Sequence, residues 1–466
     1  MKAEDFVTQV RNGDIDVVEH TAKVIEQIKK INKEYHYFNV ISDEEALEQA
    51  KKINKDGRLA GLPISVKDCI CVKGVESRGG SKILNGYKPT FDATVIERVK
   101  KEGGIIIGKT AQDEFGFGSF SLNVGVDFKV PLNPFDKESV CGGSSGGSAG
   151  ITQKVDFPHI SLSESTGGSI ACPASFCGVV GLCPTYGRVS RYGLLDYANS
   201  LDKIGPMSKY MEDIALMMEI IAGYDENEST CLDTPVGDYS KQVGVDVSGM
   251  KIGVIKGTME DGTDKGVSKK IMTKLTELEG LGAKYEEVSL PLSLNYGVQA
   301  YYLIATSEAS TNLAKYCGMR YGKHEKLEGS FNEYFSKVRS KNLGNEAKRR
   351  IMLGTFARMA GYRDAYYMKA MKVRTKIIDE YKKAFKQYDV LVSPTMPFTA
   401  PKIKDASQLT PLQNYMADIM LSAPNLAGMP HVNVPIGMEK DMPVGMMFIG
   451  KHLDEGTLIR VGSALK

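Results

Sequence analysis

Apolar residues recur at close to every third or fourth position early in the chain: Val18, Ile25, Ile28 and Ile31 share one face, with Lys and Glu in the gaps. That period predicts an amphipathic helix. Asp43-Glu44-Glu45, three acids where a first turn leaves N–H groups unpaired, predicts the start of another. The pattern then changes to short apolar runs, Leu62-Pro63-Ile64-Ser65-Val66 closing on Lys67-Asp68, and Ile105-Ile106-Ile107 closed by Gly108. Runs this short, alternating with helical stretches such as 93–102, read as buried strands of a sheet. The same reading places strands at 159–162, 251–255 and 388–394, a helix capped by Ser208 that reaches Ile221 and stops at Gly223, and two long helical tracts between 256 and 387. The chain closes with a hairpin or strand pair at 432–434 and 446–449.

Helix, short strand, then glycine is the rhythm of an α/β fold with a mixed β-sheet covered by helices on both faces. Neither an internal repeat nor a linker of disordered composition interrupts it. One domain over 1–466 is expected, with 1–55 a helical segment packed on an α/β core of 56–466.

Composition narrows the classes. In 466 residues, 42% hydrophobic and 25% charged, a globular fold is expected rather than disorder, collagen or coiled coil. Lys+Arg is 59 against Asp+Glu 57, a net charge of +2, so any nucleic acid would have to be met by a local patch or another protein chain. Two stretches without charge, 166–187 and 419–438, carry Pro, Gly and hydrogen-bonding side chains that hydrocarbon would strand, so no membrane crossing is expected. Met1-Lys2-Ala3-Glu4-Asp5 has no apolar export region, which makes the cytoplasm the expected compartment. The eight Cys match no paired zinc spacing and read as reduced thiols, the six His lie at no ligand spacing, and no metal is expected.

The chemistry-bearing residues sit in glycine-rich surroundings. Gly142-Gly143-Ser144-Ser145-Gly146-Gly147-Ser148 has the composition of a flexible linker, yet a strand and a second Gly-Gly-Ser at 167–169 follow it almost at once. It also fits an anion-binding nest, or the G-x-S-x-G nucleophile elbow, although no strand precedes it. It lacks the Lys of a phosphate-binding P-loop. A third possibility is acyl transfer without histidine. A Ser hydroxyl needs a base, a desolvated Lys can be one, and Gly-Gly lets backbone N–H groups approach a developing oxyanion. Lys67, Ser144 and Ser169 would supply those parts.

Three separated segments resemble the amidase signature family: Gly61-Leu62-Pro63-Ile64-Ser65-Val66-Lys67-Asp68, the loop 142–148, and Thr166-Gly167-Gly168-Ser169-Ile170 running on through Phe176-Cys177-Gly178-Val179-Val180-Gly181-Leu182. The resemblance implies that Ser169 is the nucleophile, Ser144 a bridging serine after a cis peptide bond, and Lys67 the base. It also implies oxyanion donors in the main chain of Thr166, Gly167 and Gly168. Further segments, 185–193, 200–206, 348–355, and Asp418 followed by 425–430, are similar to the glutamine-hydrolysing A-type components of tRNA-dependent amidotransferases. That likeness implies that Arg350 binds the carboxylate of glutamine and Asp418 its ammonium. It further implies a B-type subunit that uses the ammonia to amidate misacylated tRNA, a small C-type subunit clamping the two, and ATP and Mg at the partner with no cofactor in this chain. The alternatives within the same likeness are a stand-alone amidase on other small amides and a catalytically weakened scaffold.

The chain departs from the family pattern near the nucleophile. Relatives usually carry Asp and Arg where this chain has Ser165 and Ala171, and Lys where it has Cys183. Loss of both members of an ion pair is milder than loss of one, because neither charge is left buried alone, and Glu164 stands ready as a partial substitute.

Overall fold

A computed structural model describes residues 1–260 and 262–465. Among these residues the strands are β1 (Phe38–Ile41), β2 (Pro63–Lys67), β3 (Ile105–Thr110), β4 (Ile160–Ser165), β5 (Val180–Cys183), β6 (Lys203–Ser208), β7 (Lys251–Ile255), β8 (Lys284–Val288), β9 (Val390–Pro394), β10 (His431–Glu439) and β11 (Met442–Ile449). They form one mixed sheet of eleven strands in the order β1-β3-β2-β4-β6-β5-β10-β11-β9-β7-β8. β2 runs parallel to both β3 and β4, whereas β4 pairs antiparallel with β6. Every residue of β2, β3, β4, β6 and β9 is buried, including the alternating Ser161, Ser163 and Ser165 of β4.

Two apolar layers cover the sheet. One unites Phe6, Val24 and Ile28 of the N-terminal helices with Ile214 and Met218 of the helix Met211–Ile221 and with Leu458 near the C-terminus. The other unites Phe115, Phe117, Tyr301 and Leu421 with Ile377 and Tyr381, and lies over the candidate site.

Several expectations shift in detail. The N-terminal segment is not helical throughout: it supplies the edge strand β1, paired with β3. β3 does not end at Gly108 but runs through it to Thr110, with a register shift against β2 that pairs Ser65 with Gly108. Ser208 is the last residue of β6, and the helix after it starts three residues later, at Met211, with the Ser208 hydroxyl donating to Asp213 Oδ2 at 2.8 Å. The 432–434 and 446–449 strands form the antiparallel hairpin β10–β11. The Gly/Ser stretch is no linker. It leads into a buried helix, Gly146–Lys154, that approaches its neighbours closely enough to require glycine: a Cβ on Gly147 would stand 2.5 Å from the Tyr37 carbonyl oxygen and 2.6 Å from the Ala111 amide nitrogen.

Candidate active site

Adjacent parallel strands set the centre of the site. Lys67 ends β2, and Glu164 stands one residue before the end of β4, so their side chains leave the same end of the sheet. The loop before the Gly146 helix brings Ser144 to them. Lys67 is fully buried, and its Nζ donates to Ser144 Oγ at 2.7 Å, to the Glu164 carbonyl at 2.9 Å and to Glu164 Oε2 at 2.8 Å. Three acceptors account for all three protons of an ammonium group. The Gly143–Ser144 peptide bond is cis. Asp113 pins this loop: its N–H donates to the Ser144 carbonyl at 3.1 Å, while its carboxylate accepts from the amides of Ser121 and Asn123. Burial pushes the Asp113 carboxyl up to about 6.

Ser169 lies just beyond β4, in the turn before the helix Ala171–Phe176, and is 7% exposed. Its hydroxyl has no hydrogen bond to another described residue, so the structure joins Lys67 to Ser144 directly and leaves Ser169 without a bonded link to either. The turn is packed tightly: a Cβ on Gly167 would stand 2.3 Å from Tyr301 Cζ, and one on Gly168 would stand 2.5 Å from Leu421 Cδ1. Of the three expected oxyanion donors, Gly168 N–H already donates to Ser165 Oγ at 3.1 Å. Ser165 has taken this amide, which leaves the N–H groups of Thr166 and Gly167 as candidates.

Glu164 makes no contact with residue 171, where the chain has Ala. It faces Lys67 instead, and the Thr166 hydroxyl stands 2.7 Å from Glu164 Oε1 and 2.8 Å from Asp202 Oδ1. The other contacts of Asp202 are to the amides of Tyr197 and Ala198 at 2.9–3.0 Å. Burial, and then the Glu164 carboxylate, drive the Asp202 carboxyl well above its ordinary range.

Arg350 and Asp418 converge on one aromatic cage. Arg350, on the helix Asn345–Arg358, donates from Nε to Glu346 Oε1 at 2.8 Å and from Nη1 to the Tyr197 hydroxyl at 2.7 Å. Its guanidinium carbon lies 5.2–5.8 Å from the ring centres of Phe117, Tyr197, Tyr302 and Tyr415. Asp418 accepts from the Tyr302 hydroxyl at 2.6 Å, and Tyr302 stacks on Tyr415 at 4.0 Å. Burial pushes the Asp418 carboxyl up to about 6, against the opposing pull of that hydroxyl. Arg350, Glu346, Tyr415 and Ser119 line a cleft of about 290 Å³. The Ser119 carbonyl ties this cleft to the serine loop, accepting from Gly143 N–H at 2.9 Å and from the Cys172 thiol at 3.2 Å. Glu346, one helical turn before Arg350, was visible as an i,i+4 pair; Tyr197, Tyr302 and Asp202 arrive from distant segments with no local signal. Among the described residues, no group of three or more His, Cys, Asp or Glu is arranged to hold a metal ion.

Residues 19–459 match the Amidase family, almost the whole chain. The chain belongs to that family. It is 47% identical over 445 residues to the A-type component of glutamyl-tRNA(Gln) amidotransferase from Methanosarcina mazei, covering 95% of this chain and 91% of the relative. It is 42% identical to the corresponding protein of Carboxydothermus hydrogenoformans, covering 100% and 96%. In three dimensions it resembles the crystal structure of the same amidotransferase component from Thermotoga maritima, with a TM-score of 0.82, 37% identity and coverage of 100% and 94%. The peptide amidase of Stenotrophomonas maltophilia superposes with a TM-score of 0.83 at 26% identity, covering 100% and 96%. No helix among the described residues is long and apolar enough to cross a membrane.

Proposed function

We propose that the chain is the glutamine-hydrolysing component of a tRNA-dependent amidotransferase, working through an ester on Ser169. The observation that carries this reading is the buried 2.7 Å hydrogen bond between Lys67 Nζ and Ser144 Oγ beside the Gly-Gly-Ser turn, in a chain 47% identical to an A-type amidotransferase component. Because Ser144 Oγ accepts from Lys67, its own proton is free to turn elsewhere, and the hydroxyl can both receive a proton from Ser169 and pass one to the lysine side. Ser169 Oγ attacks the side-chain carboxamide carbon of glutamine and a C–O bond forms. The carbonyl oxygen becomes an oxyanion that the N–H groups of Thr166 and Gly167 stabilise. Collapse breaks the C–N bond, with the proton returned through Ser144 to the departing nitrogen, so ammonia leaves. Water then cleaves the ester by the same route, giving glutamate and free Ser169.

Arg350 and Asp418 give the substrate its orientation. A free amino acid carries a carboxylate and an ammonium, and here a guanidinium over the ring of Tyr302 and a carboxylate at its hydroxyl meet at one tyrosine. The released ammonia goes to a B-type subunit, which holds ATP and Mg and amidates Glu-tRNA(Gln) or Asp-tRNA(Asn), while a C-type subunit clamps the pair. Ammonia release from glutamine by the reconstituted complex tests this: Ser169→Ala lowers the rate by roughly a thousandfold or more, and a wild-type rate in that variant overturns it.

A further inference from the structure

The contacts of the carboxyl cluster behind Lys67 call for one proton more than two ionised acids would carry. Thr166 has a single hydroxyl proton, yet its oxygen lies within 2.8 Å of Glu164 Oε1 and Asp202 Oδ1 at once. A hydroxyl donates one strong hydrogen bond, and two ionised carboxylates offer only acceptors. The second contact is therefore a hydrogen bond only if one acid brings a proton of its own. Glu164 is the ionised member, because its other oxygen accepts from the Lys67 ammonium at 2.8 Å. Asp202 is then the neutral one, donating from Oδ1 to Thr166, while Oδ2 accepts from the Tyr197 amide and from the Ala198 amide, which also reaches Oδ1 at 3.0 Å. Burial together with the Glu164 charge favours the same assignment.

We propose that Glu164 is a positioning residue that stores the catalytic proton, at one end of a relay running Ser144–Lys67–Glu164, with neutral Asp202 held against it through Thr166. This rests on the acyl-transfer reading above and deepens it. Lys67 arrives with all three protons placed, so it can take one from Ser144 only as it gives another away. The acceptor in line is Glu164 Oε2. When Ser169 attacks, its proton passes to Ser144 and Lys67 gives one to Glu164 Oε2; the amine so formed turns its lone pair toward Ser144 and takes up the Ser144 proton. Lys67 stays an ammonium and Glu164 becomes a carboxylic acid. Collapse runs the three transfers backwards and delivers the proton to ammonia. No oxidant or co-reactant is needed.

The other titratable groups facing the cluster come from each element around it. They are Cys69 beyond β2, Asp113 from the loop under Ser144, Cys183 of β5, and Arg191 and Tyr197 from the segment before β6. Asp113, Asp418 and Asp213 are pushed up to about 6 and Glu114 to about 7, so above pH 8 these four are ionised while the proposed Asp202 proton remains.

Infrared spectroscopy of the full chain above pH 8 reads that proton without any turnover, so its outcome is separate from that of the glutaminase reading. The wild type shows the carbonyl stretch of a protonated, hydrogen-bonded carboxylic acid, moved by D2O. Asp202→Asn abolishes the band by removing the group. Glu164→Gln shifts the band, because the charge beside Asp202 and the acceptor on the far side of Thr166 are changed while burial still favours the neutral acid, and it lowers glutamine-dependent ammonia release by the reconstituted complex at least tenfold. Should Glu164→Gln not fold, Thr166→Val serves: with the hydroxyl gone, the band moves to the higher frequency of an unbonded acid. Absence of the band in the wild type overturns the shared proton, as does a band unaltered by Asp202→Asn, by Glu164→Gln or by Thr166→Val. A Glu164→Gln complex that releases ammonia at the wild-type rate overturns the relay.

Discussion

Arg350 shows how far a single side chain's chemistry can be read from its contacts. Nε is committed to Glu346 and Nη1 to Tyr197, and four aromatic rings surround the group, so the fork is fixed before any substrate arrives. A lysine there keeps a charge near Glu346 but loses the planar fork. Loss of a charge-assisted hydrogen bond is worth about 1.5–3 kcal/mol, so Arg350→Lys raises the KM for glutamine roughly ten- to a hundredfold, and hydrolysis of a small neutral amide falls much less. Asp418 makes a pH-dependent counterpart. Its carboxyl is raised to about 6, so the carboxylate that would hold the substrate ammonium is present above pH 6 and is lost as pH falls through it. The KM for glutamine therefore rises about tenfold per unit below pH 6, and Asp418→Asn gives a KM that is high and flat over that range; steady-state kinetics across pH 5–8 show both. Lys67, Ser144, Ser169, Arg350 and Asp418 were all singled out by motif likeness. Asp202 was not, because its importance comes from a contact with Thr166, 36 positions earlier in the chain.

At the scale of elements, the sequence was easiest to read where an entire run is buried. β2 and β7 fall within a residue of their expected bounds, whereas the hairpin strands β10 and β11 run on past the expected 432–434 and 446–449 to meet at Glu439 and Met442. Glycine misled once. Gly108 looked like a stop but sits within β3, where its missing side chain leaves room for the Val40 carbonyl, 2.5 Å from where a Cβ would be. The 142–148 stretch has a linker's composition, but the strand that follows it argued for a built loop, and it is buried, its glycines allowing close helix packing. Gly147→Ala and Gly280→Ala separate these uses. Alanine at 147 meets backbone atoms at 2.5–2.6 Å and costs about 1–3 kcal/mol, moving the loop that carries Ser144. At 280, the last residue of the helix Lys265–Gly280, nothing lies within 4 Å, and alanine adds about 0.5–1 kcal/mol of stability. Chemical denaturation of the two variants gives opposite signs.

Over the whole molecule, the order of the strands turns separate motifs into one site. β2 and β4 are neighbours although almost a hundred residues separate them in the chain, and that adjacency places Glu164 against Lys67. The second apolar layer brings Phe117, Tyr197, Tyr302 and Tyr415 around Arg350. Fold class followed from the alternation of helix and short strand, because few architectures bury so many apolar runs at once. The charge network behind the lysine did not follow, since a Glu beside a Gly-rich turn carries no signal until the sheet has closed. The most direct test of the account is covalent capture. A glutamine-derived electrophile incubated with the reconstituted complex, followed by peptide mass mapping, is predicted to modify Ser169, with labelling lost in Lys67→Met. A label on any other residue, or none on Ser169 while glutamine is still hydrolysed, contradicts it.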